Sequence, residues 1–267
     1  MTTEATAGTA GRPCWVSLLV HGLEPARDFY RALFGWEFTE GPGQFGPYVR
    51  ATLGGREVAG LGELPAGRRL PVSWTPYFAS QDADVTAQAV RSGGGTVAVG
   101  PLDAEDQGRM MIAADPQGAV FGVWQGTAMT GAAVTGEPGS VAWHELVTWR
   151  TGASRPFYTH VFPFDTGTVG PEGAGAGGGA AAEGGFDYLT LHLAGRPVAG
   201  LFGAGERLPR GEVPYWSTYF AVADTDVAVR RVTELGGRVL QAPQDSPFGR
   251  LATVADPEGA AFTVIEA

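Results

Sequence analysis

The chain has 267 residues and a formal net charge of −10, from 18 basic and 28 acidic side chains. An acidic chain with no basic block is a poor partner for nucleic acid or an anionic membrane, so neither is expected. All 18 basic residues are arginine, which excludes a Schiff-base or phosphate-loop lysine. Cys14 is the only cysteine, which excludes an internal disulfide and a thiolate metal cluster. No stretch has the length and apolarity of a membrane span, and residues 1–12 lack the apolar run of a signal peptide, so a cytoplasmic location is expected.

In chain order, Trp15–Val20 is a short apolar run suited to a strand. Pro25–Phe34 carries Ala26, Phe29, Tyr30 and Leu33 at helical spacing. Strand-like runs follow at Trp36–Thr39, Tyr48–Leu53 and Val58–Leu61. The order then starts again: strand Ser73–Ala79, a helix over Asp82–Arg91 with Asp82 as its cap and a stop at Gly93-Gly94-Gly95, and strands Thr96–Val99, Arg109–Ala114 and Ala119–Trp124. Residues 126–138 are small and polar and read as a linker. After them the whole pattern recurs.

Trp15 and Phe29-Tyr30 return as Trp143 and Phe157-Tyr158, each 128 positions later. Val58-Ala59-Gly60-Leu61 returns as Val198-Ala199-Gly200-Leu201, Tyr77-Phe78-Ala79 as Tyr219-Phe220-Ala221, and Asp115-Pro116 as Asp256-Pro257. The chain therefore divides into a first domain at 13–125, a linker at 126–138 and a second domain at 139–267, with a Gly/Ala-rich insert at 170–185. Each copy is long enough for a compact domain with its own core. The two Asp-Pro sequences read as tight turns between the last strands, with Pro fixing φ and Gly following.

Four βαβββ units in two pairs, with Phe29-Tyr30, Phe34-Gly35-Trp36, Gly93-Gly94, Asp115-Pro116-Gln117-Gly118 and their second-copy partners, resemble the vicinal-oxygen-chelate superfamily. That superfamily contains glyoxalases, extradiol dioxygenases and bleomycin-resistance-type proteins, and the Trp-x-x-Leu openings are most similar to a tandem actinobacterial subgroup. The resemblance implies an α+β fold. Each pair of units curves into a U-shaped mixed sheet around a cavity, with helices outside. In metal-using members His, Gln or Glu sits at four cavity-facing positions. Carried over, these fall on Trp15 and Trp143, on Gly60 and Gly200, on Trp74 or Thr75 with Ser217 or Thr218, and on Gly122 and Thr263. None of these is a conventional ligand for a divalent metal, so neither a metal nor another cofactor is expected. His144 and Glu266 lie next to such positions, but strand alternation turns them toward the helix side.

The same alternation assigns Trp15, Ser17, Leu19, Tyr48, Arg50, Thr52, Val120, Gly122 and Trp124 to the first cavity. The second receives Trp143, Glu145, Val147, Tyr188, Thr190, His192, Ala261, Thr263 and Ile265. Gly60, Gly122 and Gly200 leave space, and aromatics with a few polar groups on a concave sheet suit a flat apolar ligand. Trp15, Tyr48, Arg50, Trp74, Trp124, Trp143, Tyr188 and Trp216 are the expected ligand-binding residues. Arg50 can meet an anionic ligand group or bridge a carboxylate of its own domain. Glu145 and His192 would form an acid–base pair if both face the second cavity, or else be structural.

Three functions are compatible with these residues. The first is a metal-free binding protein for an aromatic or polycyclic molecule such as a polyketide antibiotic, acting in self-resistance or as an accessory in secondary metabolism. The second is a metal-independent isomerase, cyclase or lyase using Glu145 and His192. The third, implied by the resemblance alone, is a metal-dependent glyoxalase or dioxygenase. A homodimer or a biosynthetic enzyme partner is compatible with each.

Overall fold

A computed structural model describes residues 9–65, 67, 71–168, 187–208 and 211–267. The Gly/Ala-rich insert at 170–185 lies outside the described residues. The first copy runs β1 (Pro13–Val20), α1 (Leu23–Phe34), β2 (Glu37–Glu40), β3 (Tyr48–Leu53), β4 (Arg56–Glu63), β5 (Trp74–Ala79), α2 (Ala83–Ser92), β6 (Thr96–Ala104), β7 (Gly108–Ala114) and β8 (Val120–Gly126). The second runs β9 (Val141–Thr148), α3 (Thr151–Val161), β10 (Asp165–Thr168), β11 (Tyr188–Leu193), β12 (Arg196–Gly203), β13 (Tyr215–Val222), α4 (Thr225–Glu234), β14 (Arg238–Ser246), β15 (Gly249–Ala255) and β16 (Ala261–Glu266). Each copy forms one eight-stranded mixed sheet, ordered β2-β3-β4-β1-β5-β8-β7-β6 and β10-β11-β12-β9-β13-β16-β15-β14. This is the α+β fold of two tandem domains that the repeat implies.

Local chemistry accounts for the elements. In α1 the buried residues Ala26, Phe29, Tyr30 and Phe34 recur at helical spacing, and the helix stops at Gly35, whose φ of 72° is left-handed. Asp82 caps α2 by accepting from the backbone N–H groups of Asp84 and Val85, and Asp224 caps α4 through Val227.

The packing departs from the expectation of one core per copy. Both large cores are shared. One joins Phe29, Tyr30, Phe34 and Trp36 of the first copy to Phe220, Val232, Phe262 and Val264 of the second. The other joins Phe78, Met111, Phe121 and Val123 to Leu146, Phe157, Tyr158, Phe162 and Trp216. The first βαβββ unit thus packs on the fourth, and the second on the third. Phe34 lies 5.0 Å from Phe220 and Phe78 5.1 Å from Trp216, centroid to centroid.

Polar contacts cross the same boundary reciprocally. Tyr30 Oη donates to Asp256 Oδ2 at 2.9 Å, and Tyr158 Oη donates to Asp115 Oδ2 at 3.2 Å. The opposite oxygen of each aspartate accepts two backbone N–H groups of its own turn. The Asp-Pro turns are therefore also the anchors between the copies. Glu258, in the second of them, accepts from the backbone N–H groups of His21 and Gly22 at the start of α1, at 2.7 and 2.8 Å. That is favourable because helix N-termini present unpaired N–H groups and a positive dipole end.

The segment after β8 is bound along its length. Ala132 N–H donates to Cys14 O, Ala133 N–H to Glu57 O and Trp36 Nε1–H to Gly139 O. Val134 is buried in the first shared core.

Because each shared core needs residues from both copies, neither half should fold alone. Expressed separately, residues 1–138 and 139–267 are expected to lack the near-ultraviolet circular dichroism of packed aromatics, and mixing them should restore it. A first half with a cooperative thermal transition on its own would contradict the shared-core account.

Candidate functional site

Each sheet curves around a cavity on the face away from the shared cores. The first cavity encloses about 360 Å³. Trp15, Ser17 and Leu19 from β1, Tyr48 and Arg50 from β3 and Trp124 from β8 line it, as the strand alternation predicts. Tyr77, Met110, Ile112 and Phe45 complete the wall and were not foreseen. Strand alternation offers a signal for Tyr77, which shares a face with Thr75 two positions earlier.

At the glycines among the positions implied for a metal, tyrosine side chains fill the space. A Cβ on Gly60 would collide with the Tyr48 hydroxyl, and one on Gly122 with the Tyr77 ring. Gly200 stands in the same relation to Tyr188. The space expected beside these glycines is therefore occupied by tyrosines of the protein. Trp15 Nε1–H donates to Tyr48 Oη at 3.0 Å and Ser17 Oγ to Tyr77 Oη at 3.2 Å, so the cluster satisfies itself. Burial pushes both phenols above their ordinary range, so neither is a ready phenolate ligand. Among the described residues no three His, Cys, Asp or Glu side chains are grouped to hold a metal ion. The donor set does not fit the metal that the superfamily implies.

Arg50 takes the second of its two expected roles. Its Nη1 lies 2.9 Å from Glu57 Oε1, an ion pair along the cavity rim. Cys14 is no nucleophile: its Sγ contacts Tyr77 O at 3.4 Å, and burial pushes the thiol up to about 12.

The second cavity encloses about 750 Å³ and draws on both copies. Glu145, Val147, Ser217, Tyr219, Ala261 and Thr263 come from the second sheet, and Thr75, Gly118 and Val120 from the first copy. Val120 was expected in the first cavity; the inter-copy packing carries it to the second. Trp74 and Trp216 border this cavity and also belong to the shared cores, where their indole N–H groups donate to Tyr30 and Tyr158 at 3.2 and 2.9 Å.

Around Glu145 the second copy repeats the first with one change. Trp143, Glu145, Tyr188 and Tyr219 stand where the first copy has Trp15, Ser17, Tyr48 and Tyr77. Tyr219 Oη donates to Glu145 Oε1 at 3.0 Å, and Tyr188 lies between the carboxyl and Trp143. Glu145 is 3% exposed, and its burial lifts the carboxyl to about 8, against a smaller opposing effect of the two phenols. His192 does not join it. Its Nε2 bonds Thr190 Oγ1 at 2.7 Å, two residues along β11 and away from the cavity lining. His144 faces the helix side, where it bonds Thr218 at 3.2 Å and burial lowers it to about 3.

Exposed apolar residues concentrate at the two mouths. Of eleven large hydrophobic side chains exposed among the described residues, Leu19, Phe45, Val99 and Leu102 ring the first cavity and Val120, Val213, Tyr215 and Leu240 the second. Eight of the eleven thus lie at two openings, rather than being scattered singly over the surface.

A carboxyl whose folded pKa of about 8 exceeds its ordinary 4.5 stabilises the fold least when ionised. The native state holds a proton that the unfolded chain releases, so its contribution is present below about 4.5 and is lost as pH rises toward 8. Glu145→Gln should therefore be more stable than the parent at neutral pH. The difference in Tm should open between pH 5 and 8 and then level off. A difference constant across that range would show that the carboxyl is ionised throughout.

Comparison with known proteins agrees with this architecture. Residues 12–123 match the glyoxalase/bleomycin resistance protein/dioxygenase superfamily and residues 143–265 a glyoxalase-like domain. The anthracycline biosynthesis protein DnrV of Streptomyces peucetius is 39% identical, over 96% of this chain and 93% of the relative. Among solved structures, the Mn(II)-bound glyoxalase from Novosphingobium aromaticivorans superposes with a TM-score of 0.63 at 15% identity, covering 97% of this chain and 82% of that one. The 2,3-dioxygenase LapB from Pseudomonas sp. KL28 gives 0.62 at 15% identity, covering 98% and 94%. With two such domains in tandem, the chain belongs to the glyoxalase/bleomycin resistance protein/dioxygenase superfamily.

Proposed function

We propose that this protein binds an aromatic or polycyclic small molecule without a metal, as an accessory or self-resistance protein in secondary-metabolite biosynthesis. The observation that carries the reading is the first cavity, walled by Trp15, Tyr48, Tyr77, Trp124 and Met110 and ringed by exposed apolar side chains. Its volume lies in the range of about 300–1,000 Å³ usual for small-molecule sites. Flat rings stack on such walls, and Met110 adapts to their outline. The likeness to DnrV, an anthracycline biosynthesis protein, supports the secondary-metabolite setting and a polycyclic ligand. A ligand of about 27 heavy atoms at about −0.3 kcal/mol each reaches about −8 kcal/mol, which is micromolar binding.

A second reading, a metal-independent isomerase, cyclase or lyase, draws on Glu145 alone, a buried acid on a cavity wall. His192 gives it no support, because its partner is Thr190.

Titration with a neutral anthraquinone dye should quench tryptophan fluorescence saturably, with and without EDTA. Leu102→Glu, at the apolar mouth of the first cavity, should weaken that binding by about tenfold, through the loss of about 1.4 kcal/mol of apolar contact, with little change in Tm. Quenching abolished by EDTA would overturn the metal-free reading, and no saturable quenching by any ring compound would overturn the binding reading.

A further inference from the structure

The two copies share one framework and differ at its centre. In the first, Ser17 hydroxyl donates to Tyr77, and every polar group of the Trp15–Ser17–Tyr48–Tyr77 cluster named above finds a partner within it. In the second, a carboxyl takes the serine's place. Glu145 is buried, Tyr219 occupies its Oε1, and its Oε2 has no hydrogen-bond partner of good geometry. The side chain lies on the wall of the 750 Å³ cavity. A buried polar atom with an unused valence is costly, and a ligand atom that meets it recovers that cost.

We propose that the second cavity is a separate ligand site, chemically distinct from the first. It takes a flat polycyclic molecule bearing a carbonyl or quinone oxygen, which hydrogen-bonds to the Glu145 carboxyl. This rests on the reading above only in taking the ligand as aromatic. The surroundings supply no charge to ionise the acid: the groups facing it are Tyr188 from β11 and Tyr215 and Tyr219 from β13, with Thr263 on β16 and the backbone of Gly200 on β12. The charged groups on the cavity wall, Arg207 and Glu212, lie on the connection between β12 and β13. A carboxylic acid kept neutral at pH 7 is a strong donor to a carbonyl, whereas a carboxylate would repel that oxygen's lone pairs. The apolar rim of Val120, Val213, Tyr215 and Leu240 accepts the ring system, and because Val120 comes from the first copy, the site exists only in the intact chain.

The first copy supplies the control. Glu145→Ser installs the serine that the same framework already accommodates at position 17, so that variant is expected to fold. The probes are 2-methyl-1,4-naphthoquinone and 2-methylnaphthalene, which share one carbon skeleton and differ in the ring that carries the two carbonyls, followed by calorimetric titration of the full chain. The parent should show two quinone sites, of which one weakens about tenfold between pH 6.5 and pH 9. Glu145→Gln, whose amide still donates, should keep that site and remove its pH dependence. Glu145→Ser should weaken it about tenfold at pH 6.5 and leave 2-methylnaphthalene binding unchanged. Two quinone sites that ignore both substitutions and pH would overturn this inference while leaving aromatic binding intact, as would a single site unaffected by Glu145→Ser. Failure of both probes to bind at any pH would overturn it together with the binding reading.

Discussion

The reciprocal contact of Tyr30 with Asp256 and of Tyr158 with Asp115 is the constraint on which the rest of the structure depends. Each phenol accepts an indole N–H, from Trp74 or Trp216, and donates to a carboxylate of the other copy. Each carboxylate also ties down two backbone N–H groups of its turn. A helix, a central strand and a turn from two copies thus meet at one buried point, twice. Burial raises the carboxyl groups of Asp115 and Asp256, and their donors offset part of that cost. Removing either tyrosine hydroxyl would leave an aspartate oxygen and an indole N–H without their partners, which is more costly than the net worth of the bonds themselves.

This arrangement places the cavities. With the helix faces of both sheets packed against one another, the concave faces are left open, and the second cavity gains part of its wall from the first copy. The fold retains the superfamily's U-shaped sheets, but the positions that would coordinate a metal hold indoles, hydroxyl side chains, and glycines against which tyrosines pack. Gly60 and Gly200 make room for Tyr48 and Tyr188, and Gly122 for Tyr77. At the corresponding point of the two sheets the first cavity carries the hydroxyl of Ser17 and the second the carboxyl of Glu145.

The fold was legible because duplication wrote each element twice and because strands alternate faces. Trp15, Ser17, Leu19, Tyr48, Arg50 and Trp124 were placed by alternation alone, and all line the first cavity. What sequence could not show is how the copies pack. Trp74 and Trp216 border the second cavity as expected ligand-binding residues, but sequence did not show that they also build the shared cores. Val120 moved to the other cavity for the same reason. Glu145 and His192 share a sheet face by parity, but parity does not measure distance along a strand, and His192 lies two positions along β11 from Thr190, the residue level with Glu145. That Tyr48, Tyr77 and Tyr188 fill the space beside Gly60, Gly122 and Gly200 was missed because a glycine in a strand signals close approach without saying whose atoms approach.

The contacts that join the copies run both ways, residue to counterpart and counterpart to residue, as in the self-complementary interface of a two-fold dimer. The bound segment between β8 and β9 makes this assembly permanent. Two identical subunits would have to change together, and would fall apart on dilution. Joined covalently, the halves meet at an effective concentration set by the connection, on the order of millimolar or above for a short one. Each half is then free to drift while its partner preserves the fold. The serine at position 17 and the glutamate at position 145 are what that freedom permits: one molecule that is symmetric in its skeleton and asymmetric in its chemistry.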